Sequence, residues 1–337
     1  MFSMAFSYKK AAGLIVRYAI VIGSIFYLFF NLDLAGVWEE LLGQDPVKLL
    51  AVSVAYVALL FPTGARLYLL ARKKMSLWIA TKATTLCLGA NNLFPGKAGE
   101  LLKATYMSRH GSVPLGEAIC LVGLERLGDL NAALLLALAI GVSLQAAWLY
   151  APLMAVVVFC WSILWFCKKW PHALPGIARR LHAHKLVSHI ESAITDLTGL
   201  LDSRRLFTLL VFTGLLWLLY VLFVALCLNW MSGLGLTMLQ CMYVTGAMAA
   251  GMSAPAGPAS IGVFEAATVA ALVSLGVDKD QALIAALTLH ISQVVPVTLL
   301  GGKLMLSESL GVKDTLMKFQ TQRVSGENWA KTEEGDS

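Results

Sequence analysis

The chain has 337 residues, 58% hydrophobic and 14% charged, with a mean hydropathy of +0.74. A soluble domain carries roughly 25% charged residues, so an ordinary soluble enzyme is excluded. The net charge of +6 does not imply nucleic acid: no basic stripe with interleaved aromatics occurs, and the cations gather at the ends of apolar runs, where Lys and Arg hold cytoplasmic loops. The cysteines stand singly in apolar segments with no C-x-x-C pair, so disulfide, zinc and iron–sulfur frameworks find no support and no cofactor or metal is expected.

A hydrocarbon core of roughly 30 Å takes about 20 apolar helical residues, and a lone strand cannot satisfy its backbone there. Six segments reach that length: 12–32, 47–70, 116–143, 147–167, 206–230 and 280–306. The first runs to Leu32 without a small-x-small cleavage site and reads as a retained span, not a signal peptide. Segment 33–45 carries Asp33, Glu39, Glu40 and Asp45 with no Lys or Arg, which predicts an external loop. Arg72, Lys73 and Lys74, and the stretch 168–205 with Lys168, Lys169, Arg179, Arg180, Lys185, Arg204 and Arg205, are predicted to be cytoplasmic. Within that stretch Ile190, Ile194, Leu197 and Leu201 recur at helical spacing, as in an amphipathic helix lying on the membrane or on the bundle. His182, His184 and His189 nearby read as part of a solvated basic face.

Two apolar stretches, 77–113 and 237–276, are broken in the middle by Gly and Pro, at LGANNLFPGKAGELLKA and AAGMSAPAGPASIGVFEAA. A full crossing by the first would carry Lys168 and Lys169 outside, whereas a stretch that dips in and returns leaves every loop charge on its expected side. The same reasoning makes the second dip from the opposite face. Glu100 precedes Glu125 by 25 residues, and Glu265 precedes His290 by 25. Two hairpins of opposite entry would be inverted-topology repeats, a plan of many transporters; coincidence is the competing account of so few matches.

Charge inside the spans is the strongest chemical signal. An Asp, Lys or Arg at mid-helix costs about 2.5–3.5 kcal/mol on insertion scales. Glu125, Arg126 and Asp129 fall within one arc of about 100°, predicted to face inward, and Arg126 and Asp129 are spaced to pair. An ion pair that merely clamps helices is one reading; a site for a charged headgroup is the other. The first hairpin adds Asn91, Asn92, Pro95, Gly96, Lys97, Gly99, Glu100 and Lys103. Its broken helix frees backbone N–H groups and aims a half-helix N-terminus at mid-membrane, where an anion such as phosphate is favoured, with Lys97, Lys103 or Arg126 as partners. Glu100 can balance charge, accept a proton or hold an ammonium group. A phosphate-binding loop of the Walker type is excluded, because Ala98 stands where Ser or Thr would bind magnesium. The second hairpin offers Ser253, Pro255, Pro258, Gly262 and Glu265, with His290 on the next span. His290 is either a group that titrates near neutral pH or an interhelical hydrogen-bond partner. No Ser or Cys lies near a His in an arrangement for covalent catalysis, so a non-enzymatic protein is expected.

The motifs N-x-x-x-P-x-x-x-G-E (Asn91, Pro95, Gly99, Glu100), Glu125-Arg126 with Asp129, and P-x-x-x-G-x-x-E (Pro258, Gly262, Glu265) together resemble the flippase-like membrane domain of lysylphosphatidylglycerol synthases, which also occurs as stand-alone proteins in bacteria and archaea. The resemblance covers roughly 12–306. It departs at Lys97 and at His290, where Arg is the more usual residue. About 30 polar residues follow the last span, so the aminoacyl-transfer domain of the full synthases is not expected. The resemblance implies movement of a lipid between leaflets, or handling of a lipid-linked intermediate. The competing functions are therefore a translocase for a phospholipid, polyprenyl phosphate or other polar lipid, a scaffold that presents such a lipid to a partner transferase, and a small-solute transporter. The expected fold is all-α and polytopic: one integral membrane domain over 1–306 with about six full transmembrane helices and two re-entrant hairpins, then a polar cytoplasmic tail over 307–337. Both termini are expected in the cytoplasm of a bacterium, with the protein in its inner membrane.

Overall fold

The computed structural model describes residues 34–94, 97–143, 150–173, 194–253 and 257–308. The expected span 12–32, Pro95, Gly96, Pro255, the histidines His182, His184 and His189, and the tail beyond Glu308 lie outside the described residues. Every regular element among the described residues is helical.

Helix α1 (Leu34–Leu42) precedes α2 (Pro46–Ala58), which opens on Asp45, whose carboxylate accepts the N–H groups of Val47 and Lys48. Helix α3 (Leu60–Leu70) follows after a joint at Leu59. Pro62 has no N–H to offer the carbonyl of Ala58, so the helical ladder loosens there without ending. Helices α4 (Leu77–Leu93), capped by Ser76, and α5 (Gly99–His110) come next, followed by α6 (Leu115–Ser143) and α7 (Tyr150–Lys169). Helix α8 (Ser203–Ala225), capped by Asp202, runs on as a π-helical turn over Leu226–Met231. The remainder is α9 (Met238–Ser253), a 3-10 turn (Pro258–Ser260), α10 (Val263–Ser274) and α11 (Lys279–Ser307).

Among the described residues, three helices are long and apolar enough to cross a membrane: Pro46–Leu70, Ser203–Met231 and Lys279–Ser307. Helices α6 and α7, of 29 and 20 residues, reach roughly 44 and 30 Å at 1.5 Å per residue. Helix α6 carries Glu117, Glu125, Arg126 and Asp129.

One segment expected as a loop carries a helix, and the basic stretch 168–205 carries helix where its spacing predicts one. The acidic segment 33–45 contains α1, which packs on α11, and Gln44 donates from Nε2 to Thr288 Oγ1 at 2.6 Å. In 168–205, residues 194–200 are helical. Ile194, Leu200 and Leu201 are buried, and Lys168 donates to the Leu201 carbonyl at 2.6 Å. Of the two placements open for the amphipathic stretch, the described half rests on the bundle.

The two broken stretches each fold out and back. At the tip of the first, Asn91 Oδ1 accepts the N–H of Gly99 at 2.9 Å, and at its base Ser112 N–H returns to the Lys74 carbonyl at 2.9 Å. A Cβ at Gly99 would overlap the carbonyl of Cys87, so α5 reaches α4 only through glycine. The second closes through Tyr243 and Ser274, whose hydroxyls lie 2.7 Å apart. Helix α8 carries the chain from the basic end of the bundle to the start of α9, and α11 brings it back to Glu308, which meets Lys82 and His110. The two hairpins therefore begin at opposite ends of the bundle, and both pack on α11. A Cβ on Gly89 would lie 2.7 Å from the Cα of Gly301, which marks a backbone-to-backbone crossing of α4 and α11. Helices α5 and α10 have 12 residues each, roughly 18 Å, well short of a bilayer core of about 30 Å.

Candidate functional site

A cluster of six charged side chains sits where α3, α5, α6 and α8 meet. Glu117 lies at the basic end of α6, against Lys74; Glu125 and Asp129 lie eight and twelve residues beyond it, roughly 12 and 18 Å along the helix and near the middle of a bilayer-sized bundle.

One half of the cluster is sealed. Arg66 of α3, 1% exposed, donates from Nη1 to Asp129 Oδ1 at 2.6 Å and to Thr213 Oγ1 at 3.1 Å. From Nη2 it donates to Glu125 Oε1 and Asp129 Oδ2, both at 3.3 Å. Lys103 of α5 donates to Glu125 Oε2 at 2.6 Å, and both of these side chains are buried. Trp217 Nε1 adds a bond to Asp129 Oδ1 at 3.3 Å. Buried charges are tolerated when each finds an opposite charge and its remaining lone pairs find donors; here Glu125 and Asp129 meet that condition.

The other half is open. Arg126, 46% exposed, pairs with Asp129 at 3.3 Å and more loosely with Glu100 at 3.7 Å. Oε2 of Glu100 is buried with no hydrogen-bond partner among the described residues. Three cations (Arg66, Lys103, Arg126) face three carboxylates (Glu100, Glu125, Asp129), so the cluster is neutral as a whole; Arg126 and Glu100 Oε2 keep unused capacity at its edge, and Arg66 Nε is buried without a partner among the described residues.

Sequence reasoning brought five of these six together and missed Arg66. It stands six residues before Arg72 and so passes for part of a basic span end. The available signal was a charge count: Glu100, Glu125 and Asp129 outnumber Lys103 and Arg126 by one. Arg126, expected to face inward with its neighbours, instead turns to the cluster's edge, because consecutive helical residues diverge by 100°. Lys103 is committed to Glu125 rather than to an open cavity. Lys97 stands exposed at φ 55° and takes no part in the cluster. Asn91 and Asn92 hold the hairpin, the first through Gly99 and the second by donating to Thr298 Oγ1 at 3.0 Å.

The second hairpin makes a separate site. Glu265 Oε2 accepts the N–H of Gly262, a residue at φ 84° that only glycine adopts freely. Its other oxygen meets His290 Nδ1 at 2.5 Å, while His290 Nε2 lies 3.0 Å from the Ala259 carbonyl. Phe264 stacks on the imidazole with centroids 4.2 Å apart. Both ring nitrogens face oxygen acceptors, so the contacts are satisfied when one proton sits on Nε2 and a second is shared between Nδ1 and the carboxyl. Pro258 opens the 3-10 turn, and Ala259 and Ser260 follow at φ 53° and 57°. Ser253 ends α9; its side chain, like Pro255, lies outside the described part. Among the described residues no three His, Cys, Asp or Glu side chains gather as a metal-ion site would require.

No curated protein and no solved structure matches the chain. Residues 14–301 match the lysylphosphatidylglycerol synthase TM region. With that match over most of its length and with its long apolar helices, the chain belongs to the lysylphosphatidylglycerol synthase transmembrane-region family and is a membrane protein with a lipid-related role.

Proposed function

We propose that the protein is a non-enzymatic translocase that carries a polar, phosphate-bearing lipid between leaflets while its tails stay in hydrocarbon. The observation that carries this reading is the half-open ion cluster: Arg126 half exposed and Glu100 with an unpartnered oxygen, beside a sealed set of ion pairs at mid-bundle depth. A clamp between helices has no use for spare capacity. Headgroup transfer is slow unaided because it strips water from charge. In this reading Arg126 replaces that water around a phosphate, and Glu100 takes an ammonium or hydroxyl donor of the same headgroup. The two hairpins are read as re-entrant, entering from opposite faces, with α5 and α10 as half-helices whose N-termini add dipole stabilisation at mid-membrane. Both termini then lie in the cytoplasm of a bacterial inner membrane, in keeping with the basic residues at one end of the bundle.

The test is reconstitution of the full chain into liposomes with headgroup-labelled phospholipids and a polyprenyl phosphate, followed by quenching from outside. Transbilayer rates above those of empty liposomes, abolished by Arg126→Ala and Glu100→Ala in protein that remains monodisperse, are expected. Rates equal to empty liposomes across anionic and zwitterionic lipids and with imposed ion gradients would overturn translocation in favour of presenting a lipid to a partner transferase.

A further inference from the structure

The seam between α3 and α8 that holds Arg66 and Thr213 ends, at the basic end of the bundle, in a second polar feature. A cavity of about 540 Å³ opens there, lined by Leu69, Arg72, Lys73, Arg204, Arg205 and Thr208. Its floor is rigid: Arg205 is buried, donating to the carbonyls of Leu70 at 3.1 Å and Gly199 at 2.9 Å and facing Glu117 at 3.4 Å. One wall is Arg72, held by Asp202 at 2.6 Å. Lys73 and Arg204 are exposed and have no carboxylate partner among the described residues. Among the described residues, the four cations that line the cavity pair with Asp202 and Glu117 alone, and Glu117 is shared with Lys74.

Two features of the chain run against its own stability here. Arg72 and Lys73 take successive left-handed conformations, φ 51° and 62°, which residues other than glycine adopt at a cost; this turn sets both side chains on the cavity wall. Arg204 and Arg205 occupy the first turn of α8, where the helix dipole disfavours cations. The bias of positive charge toward one membrane face explains which end of the bundle is basic. It does not explain why four cations converge on one cavity at the expense of backbone and helix.

We propose that this cavity binds a phosphate-bearing anion, the headgroup of an anionic phospholipid in the adjoining leaflet. Such headgroups lodge in basic pockets between transmembrane helices, and the volume suits a small ligand. The lipid source is favoured over a soluble phosphate because Phe207, Leu210 and Val211, in the next turns of α8, are exposed and apolar and would meet acyl tails directly below the headgroup. Arg66 lies six residues before Arg72 and Thr213 eight residues beyond Arg205, so the cavity stands roughly 9–12 Å along the same seam from the buried cluster. Binding at the cavity does not depend on whether any headgroup crosses the membrane.

The experiment measures equilibrium binding to the purified full chain in detergent, with no transport step. The probes are dioleoylphosphatidylglycerol, dioleoylphosphatidylcholine and inorganic phosphate as a competitor. The wild type is expected to prefer phosphatidylglycerol over phosphatidylcholine. The double variant Lys73→Gln/Arg204→Gln, which breaks no described ion pair and so keeps the wild-type melting temperature, is expected to bind phosphatidylglycerol about 30-fold more weakly, from two cations near the membrane surface. Arg204→Gln alone is expected to lose about fivefold and serves if the double variant fails to fold. Failure of millimolar inorganic phosphate to compete supports the lipid source; full competition supports phosphate recognition with a soluble ligand instead. Equal binding of the two phospholipids by the wild type, or equal phosphatidylglycerol binding by a folded variant and the wild type, overturns the proposal.

Discussion

Replacing Arg66 by Met tests whether the buried cluster has a sealed half that holds the fold and an open half that serves the ligand. Arg66 donates four hydrogen bonds, to Asp129 at 2.6 and 3.3 Å, to Glu125 at 3.3 Å and to Thr213 at 3.1 Å. Met fills the volume but leaves three carboxylates, Glu100, Glu125 and Asp129, facing only Lys103 and Arg126. Breaking a buried pair from one side costs about 3–5 kcal/mol, because the stranded charge stays buried. At about 2–4 °C per kcal/mol for a large domain, the melting temperature should fall on the order of 10 °C. Thermal unfolding of the purified protein, followed by intrinsic tryptophan fluorescence and by monodispersity on a sizing column, reads the loss. The double variant Arg66→Met/Asp129→Leu restores neutrality, Lys103 and Arg126 against Glu100 and Glu125, and should recover at least about 2 kcal/mol of the summed single losses. Arg126→Met should cost less than Arg66→Met, since Asp129 keeps both bonds from Arg66 and Glu100 loses only a 3.7 Å contact, yet should abolish translocation. Additive single losses, or an Arg126→Met protein as unstable as Arg66→Met, would refute the division into sealed and open halves.

Adjacent glycines of α11 offer a contrast: Gly301→Ala drives a Cβ into the Cα of Gly89 and should cost about 1–3 kcal/mol, whereas Gly302→Ala faces open space and should leave the melting temperature unchanged. His290→Phe keeps the stack on Phe264 but strips the partners of Glu265 Oε1 and the Ala259 carbonyl, for an expected loss of about 3 kcal/mol by thermal unfolding. Burial pushes the Asp202 carboxyl upward, but the Arg205 N–H and the Arg72 and Arg205 guanidinium groups outweigh it and hold the group below its ordinary value. Its charge therefore stabilises the fold above the ordinary carboxylate range and ceases to as pH falls through the depressed value. Asp202→Asn, which keeps a capping oxygen, should be less stable than the wild type at pH 7 and indistinguishable from it at pH well below about 4.

What the sequence disclosed tracks what is local. The apolar runs, the Gly and Pro breaks at 95–99 and 255–262, and the loop charges follow from composition and chain direction. Glu125, Arg126 and Asp129 stand out because three charges in one apolar helix have no inexpensive explanation. Arg66 does not stand out, since one Arg near a span end is ordinary and its partners lie 59 and 63 residues away. The same blindness covers Lys103, whose commitment to Glu125 is a tertiary fact, and α1, whose acidic residues read as a loop until α11 provides a surface for its apolar face. The roles of Asn91 and Asn92 were legible as polarity in the wrong place, but not as a hairpin latch and a tie to Thr298.

Helix α11 relates these separate facts. It carries His290, which engages Glu265 of the second hairpin, and Thr298, which accepts from Asn92 of the first. Its end at Glu308 accepts from Lys82 and Tyr106 and faces His110, all of the first hairpin. Gly89 and Gly301 bring the backbones of α4 and α11 together, and close packing between helices in a membrane relies on such small residues and on polar ties, because hydrocarbon offers no hydrophobic drive for helix association. The ion cluster, by contrast, is built by α3, α5, α6 and α8 and makes no bond to α11. A displacement of the first hairpin would thus be resisted by α11 along α4 and at the Tyr106–His110 end of α5, and nearer mid-bundle by Lys103 and by the loose 3.7 Å contact of Glu100 with Arg126. The weakest of these attachments belongs to the one residue of the cluster with an unpartnered oxygen. Glu100 is therefore the point at which a headgroup could exchange for a protein contact at least cost, and Glu100→Gln should weaken headgroup binding while leaving the stability, read by thermal unfolding, within about 1 kcal/mol of the wild type.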